Sequence, residues 1–182
     1  MAHAALHGLV CGPTGVVPLL LGLYWLLPPA KIARRGSLEW VVIEEMEMGL
    51  HPRAVATMML LVLELLARGY RVCLSTHSPQ VLEMIWALQE LRAGSGKAED
   101  LLDLFAVKKS AGLVRIAAAA LKKQAKVYAF EQGQARDISA LDPFLEDARE
   151  ADWGGLTAFS ERASRIVARA ANARNGAGHE IP

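Results

Sequence analysis

Two short apolar runs, each ending in polar residues and separated by one helix-length segment, constrain this chain more than any other feature. Leu38-Glu39-Trp40-Val41-Val42-Ile43 is rich in β-branched residues and is stopped by Glu44 and Glu45. A run of this kind reads as a strand buried on both faces, the pattern of a parallel sheet. Arg71–Ser75 reads as a second buried strand, running into Thr76-His77-Ser78. Between them, Met46–Pro52 makes a loop and a helix follows, with Pro52 near its first turn and Gly69 just past its end. Strand, helix, strand in succession gives an α/β chain with an at least partly parallel sheet. Two core strands make a thin sheet for that class, which normally needs more.

The flanks are less constrained. Residues 1–30 contain no Asp, Glu, Lys or Arg, and Pro18–Leu27 (PLLLGLYWLL) is apolar all round, as a helix buried on most faces would be. Pro28 and Pro29 end it, and Lys31, Arg34 and Arg35 follow, a layout that superficially matches a membrane anchor with flanking positive charge. The unbroken apolar run falls short of the roughly 20 residues a bilayer requires. Gly12, Pro13 and Gly15 interrupt it upstream, and no positive charge precedes it as in a secretion signal. A buried core helix is therefore expected, not a membrane span.

Downstream, Ser78-Pro79 pairs an N-cap with a first-turn proline and opens a helix to about Leu91. Arg92–Lys97 is a loop, Leu101–Leu121 is helix-prone, and Lys126–Phe130 is a third strand with Gly133 as a turn and Arg136–Ile138 as partner. Leu156–Ala171 is a final amphipathic helix carrying Phe159, Ala163, Ile166 and Val167 on one side. Its Arg162, Arg165 and Arg169 form a solvated basic stripe on another face.

Composition narrows the function classes. The 182 residues are 53% apolar and 21% charged, enough for one domain with a sizeable core and far from disorder. With 20 Lys+Arg against 19 Asp+Glu, the net charge of +1 exerts no global pull on nucleic acid or anionic membrane. Cys11 and Cys73 are too few and too separated for a disulfide scaffold, so a reducing compartment, the cytoplasm, fits. Neither has the neighbours of a zinc site.

The chemistry concentrates where the two strands end. An apolar strand running into Glu44 and Glu45 places adjacent carboxylates at its C-terminal tip, where ligands bind in open α/β sheets. One carboxylate can hold Mg²⁺ through its waters while its neighbour orients or deprotonates an attacking water. The second strand puts His77 at a neighbouring tip, where an imidazole can hydrogen-bond a terminal phosphate. Without chemistry, Glu44 and Glu45 would only open a polar loop and His77 would only fill a capping turn.

At these residues the chain resembles a known family. Ile43-Glu44-Glu45-x-Glu47-x-Gly49-Leu50-His51-Pro52, with Thr76-His77-Ser78 further on, looks like the C-terminal lobe of an ABC-type ATPase head. The similarity is to prokaryotic AAA-family ATP-binding proteins related to SMC, RecF and the overcoming-lysogenisation-defect ATPases. The resemblance implies that the first segment is a Walker B motif with its D-loop. It makes Glu44 the Mg²⁺-associated position, often Asp in the family, Glu45 the general base and His77 the γ-phosphate sensor. Met46 stands where proline is usual. Gly12 matches the signature-motif glycine, although the motif reads Cys11-Gly12-Pro13 in place of Ser-Gly-Gln and lacks the serine that contacts the partner's nucleotide. The similarity extends from about Gly8 to Ala171, with the tail as weaker support.

ATP binding in that family also needs a Walker A loop, G-x-x-x-x-G-K-[ST], whose backbone amides cradle phosphate. Gly94-Ser95-Gly96-Lys97 is a decoy, with Leu91 in place of the first glycine, Ala98 in place of the hydroxyl, and a helix before it. Gly12-Pro13-Thr14-Gly15 is another, followed by Val16-Val17 where Lys and Ser/Thr belong. The expected fold is thus an incomplete P-loop NTPase sheet with flanking helices, lacking the Walker A lobe. Residues 1–182 read as one domain: a signature-like region over 8–37, a Walker B, D-loop and switch-histidine core over 38–91, and C-terminal helices with a small β pair over 92–182. The resemblance implies ATP and Mg²⁺ as cofactors, a Walker A lobe supplied from elsewhere, pairing of heads, and contact with nucleic acid only through a partner. The alternatives are a non-catalytic interaction module of the same fold, and a membrane-anchored protein.

Overall fold

The computed structural model of the protein describes residues 2–6, 13–27, 34, 36, 38–142 and 153–177. The chain divides into two compact units, residues 1–125 and 126–182. The first contains β1 (Ala2–Leu6), α1 (Pro13–Leu26), β2 (Leu38–Glu44), α2 (Pro52–Ala67), β3 (Arg71–Ser75), α3 (Pro79–Ala93), α4 (Ala98–Leu104) and α5 (Ala111–Ala120). The second contains β4 (Tyr128–Glu131), β5 (Gln134–Asp137) and α6 (Ala158–Ala177). The protein is α/β, compatible with a P-loop NTPase-like fold.

The sheet of the first unit is parallel, in the order β1-β2-β3. Val41 and Ile43 are buried on one face, opposite Val72 and Leu74 of β3. They join one core with α1 through Leu19, Leu23 and Leu26, with α2 through Val55, Met58, Met59, Val62 and Leu65, and with α3 through Val81 and Met84. Buried Tyr70 ties this layer across the chain, its hydroxyl donating to the Leu26 carbonyl at 3.1 Å. A second cluster around Leu63, Leu88, Leu101, Leu102, Ala117 and Ala120 knits α2 and α3 to α4 and α5.

The helix boundaries follow their sequence signals. Pro52 opens α2 behind His51, whose Nδ1 accepts the Arg53 N–H at 3.2 Å, and Gly69 follows its end with φ +91°. Pro79 opens α3 behind Ser78, although the Ser78 side chain makes no capping hydrogen bond.

Four expectations are corrected. First, the sheet has a third strand, β1, because parallel pairing with β2 recruits Ala2–Leu6, a segment without β-branched residues to announce it. Second, β2 and β3 are not buried on both faces. Trp40 and Val42 are half-buried, and Arg71, Cys73 and Ser75 are exposed, with the Arg71 guanidinium 5.6 Å from the Trp40 ring centroid. Helices α1, α2 and α3 pack with Val41 and Ile43, and burial along β2 and β3 alternates with the strand period of two. Third, α1 is not buried on most faces. It starts at Pro13, with Pro18 inside it, and buries the Leu19, Leu23 and Leu26 stripe while Leu21 and Tyr24 stand 63% and 82% exposed. Fourth, the Leu101–Leu121 segment breaks into α4 and α5, separated by a turn with Ala106 at φ +51° and by Ser110, which caps α5 through the Leu113 N–H at 3.3 Å.

In the second unit, β4 and β5 form the expected antiparallel hairpin, with Gln132 and Gly133 at φ +50° and +77° in its turn. The Ser139 hydroxyl accepts from the Val127 N–H at 2.9 Å, and buried Trp153 donates Nε1–H to the Leu141 carbonyl at 3.1 Å. The last helix starts two residues later than its sequence pattern and runs on to Ala177, with Phe159, Ile166 and Val167 exposed beside Arg162, Arg165 and Arg169. Among the described residues no helix is long and apolar enough to cross a membrane.

Candidate functional site

Parallel pairing brings the C-terminal ends of β2 and β3 side by side, with Glu44 in register with Ser75. The ladder continues one step beyond the strand, where the Glu45 N–H donates to the Ser75 carbonyl at 2.9 Å. Glu45 then turns the chain in the left-handed region at φ +46°, a conformation costing a non-glycine residue about 1–3 kcal/mol unless its surroundings hold it. Here they do. The Glu45 carbonyl accepts from the Met48 N–H at 3.0 Å, Met46 is buried in the core, and Gly49 completes the turn at φ +72°.

The consequence for side chains is direct. Glu45 Oε1 lies 3.3 Å from His77 Nε2, so the predicted base and the predicted phosphate sensor meet although 32 positions separate them in the chain. The imidazole is 81% exposed and the Glu45 side chain 35% exposed, which leaves both accessible from solvent. Glu44 is exposed at the end of β2, one residue away on the strand whose alternation it shares with Trp40 and Val42.

A third carboxylate, to which no role was given from the sequence, organises the site. Glu47 Oε1 accepts from Thr76 Oγ1 at 2.6 Å and from the His77 backbone N–H at 2.7 Å. Among the described residues its Oε2, which is buried, has no hydrogen-bond partner. Thr76 Oγ1 in turn accepts from the Ser78 N–H at 3.0 Å. Gln80 adds a further tie by donating Nε2–H to the Pro52 carbonyl at 3.0 Å. Glu47 stands inside the same acidic cluster as Glu44 and Glu45, but its loop position gives no periodicity from which an inward aim could be read.

Gly12 lies outside the described residues. Gly94–Lys97 links α3 to α4, and a Cβ at Gly96 would fall 2.7 Å from Leu91 Cδ2, so close helix packing accounts for that glycine. The Lys97 N–H donates to Asp100 Oδ2 at 2.8 Å, opening α4. Among the described residues no three His, Cys, Asp or Glu side chains converge into a metal cage. Glu44 still suits Mg²⁺, an ion usually held by one or two carboxylates with phosphate and water completing its shell.

Residues 14–83 match a family described as an AAA domain, putative AbiEii toxin, Type IV TA system. The match spans less than half of the chain and includes Glu44, Glu45, Glu47 and His77. It supports a relationship to the AAA/P-loop ATPase family, with ATPase-like nucleotide binding as the function at family level and ATP and Mg²⁺ as the ligands that family generally uses. No curated protein and no solved structure matches the chain.

Proposed function

We propose that residues 38–91 form the hydrolytic half of an ATP site, completed by a Walker A lobe supplied from elsewhere. The observation that carries this reading is the 3.3 Å approach of Glu45 Oε1 to His77 Nε2 at the tips of two adjacent parallel strands. A carboxylate and an imidazole so placed fit the division of labour in phosphoryl transfer, which is mostly positioning and charge stabilisation. Glu45 takes the proton of the attacking water, and His77 donates a hydrogen bond to a terminal phosphate oxygen. Glu44 holds Mg²⁺, which when bound neutralises charge on the phosphates. Gly12 is the proposed contact to the nucleotide of a paired head.

The open flank of the sheet supports the need for a second lobe. Among the described strands β3 pairs only with β2, which leaves its outer edge as a place where a further strand can pair. The 94–97 loop joins two helices, whereas a Walker A loop runs from a strand into a helix. Calorimetric titration of Mg²⁺-ATP tests the reading. The chain alone is expected to bind no more tightly than about millimolar, and addition of a Walker A-bearing lobe to bring the dissociation constant into the micromolar range, some 4 kcal/mol of added affinity. Micromolar binding by the chain alone would overturn the division of the site.

A further inference from the structure

We propose that Glu47 is the positioning residue of this site, the carboxylate that sets His77 opposite Glu45. The inference rests on the reading of Glu45 and His77 given above. Glu47 lies in the loop after β2, yet both hydrogen bonds to its Oε1 come from the segment after β3, one from the Thr76 hydroxyl and one from the His77 amide. At 2.6 and 2.7 Å both lie at the short end of hydrogen-bond distances. Among the described residues Oε2 is buried and makes no hydrogen bond. The contacts at Oε1 are what hold the carboxylate in this orientation.

The geometry explains why the grip falls on the backbone of residue 77. The His77 ring is 81% exposed, and its Nε2 lies 3.3 Å from Glu45 Oε1. An exposed imidazole gains little orientation from packing, so its direction is set by the peptide that carries it. Glu47 fixes the Thr76–His77 peptide directly, and holds the following one through the Thr76 hydroxyl, which donates to Glu47 and receives the Ser78 N–H. Glu45 is anchored separately, by its own N–H on the Ser75 carbonyl. The two functional side chains are therefore held by independent bonds to one short segment, Ser75–Ser78.

The test uses the full chain without nucleotide. Amide hydrogen exchange, read by residue, is compared in wild type, E47A, E47Q and T76V. We expect E47A to speed exchange at His77 about tenfold or more, with Val41 and Ile43 of the core strand changing less than about twofold. E47Q retains one acceptor oxygen and restores most of the protection. A second readout is the NMR signal of the His77 ring, which E45Q shifts in the wild-type background and leaves unmoved in the E47A background. An unchanged His77 amide in E47A overturns the proposal, as does a loss of protection spread evenly over residues 38–91. An E45Q response that survives in E47A also overturns it. Should E47A fail to fold, T76V deletes one of the two bonds at nearly constant volume, and a His77 ring response to E45Q that is undiminished in the T76V background overturns the proposal equally. Absent hydrolysis with a complementing lobe would refute the ATP reading while leaving these nucleotide-free results intact, so the two failures are distinguishable.

Discussion

Helix α1 gives the sharpest test of how this chain distributes its apolar surface, because neighbouring leucines on it have opposite fates. Leu23 is 1% exposed within the main core and Leu21 is 63% exposed, only two positions away. Truncating a buried leucine to alanine removes its transfer free energy and leaves a cavity, together about 2–5 kcal/mol. Leu21→Ala removes little buried surface and is expected within about 0.5 kcal/mol of wild type. The helix-propensity change is the same for both, so it cancels in the comparison. Urea unfolding followed by circular dichroism reads the difference. With a denaturant slope of about 2 kcal/mol/M, L23A lowers the midpoint by about 1–2.5 M and L21A by at most about 0.25 M. Leu23→Val serves as a milder step if L23A is too unstable to study. Equal losses in L21A and L23A would refute the one-stripe packing of α1, and would mean that its outer face is covered in solution.

Gly96→Ala places a Cβ 2.7 Å from Leu91 Cδ2 and 3.0 Å from the Leu91 carbonyl oxygen, so it should destabilise by about 1–3 kcal/mol, seen as a lower melting temperature; an unchanged melting temperature would contradict the packing role of that glycine. In the hairpin unit, hydrogen bonds from Ser139, and then Lys126, hold the Asp137 carboxyl below its ordinary value of 3.8. A group whose folded pKa is depressed contributes stability above its unfolded value and loses it as pH falls through the folded one. Ser139→Ala should therefore raise the Asp137 pKa in an NMR titration and bring acid weakening of the hairpin to a higher pH, and an unmoved Asp137 titration would contradict the assignment.

What could be read from the sequence depended on whether local chemistry or tertiary context decided each element. Pro52, Gly69, Pro79 and Gly133 act through backbone conformation alone, and each stands where its signal placed it. The β2–α2–β3 core followed from apolar runs that no competing pattern obscured, and the meeting of Glu45 with His77 followed from parallel pairing. Strand β1 was hidden because Ala2–Leu6 has no intrinsic strand preference and forms only against β2. The one-sided burial of β2 and α1 was hidden for a different reason. Uniformly apolar residues carry no periodicity, so they cannot say which face meets a partner layer. Glu47 was missed because a carboxylate in a loop reads as solvated until the structure turns it inward onto Thr76 and His77.

That Glu45 and His77 belong to a hydrolytic site is tested most directly by phosphate release from Mg²⁺-ATP with a Walker A-bearing lobe added to the chain. Wild type should turn over, and Glu45→Gln should retain ATP binding while slowing hydrolysis about 100-fold or more, the contribution expected of a general base. Equal rates for wild type and E45Q, or no hydrolysis by wild type once ATP is bound, would contradict the assignment.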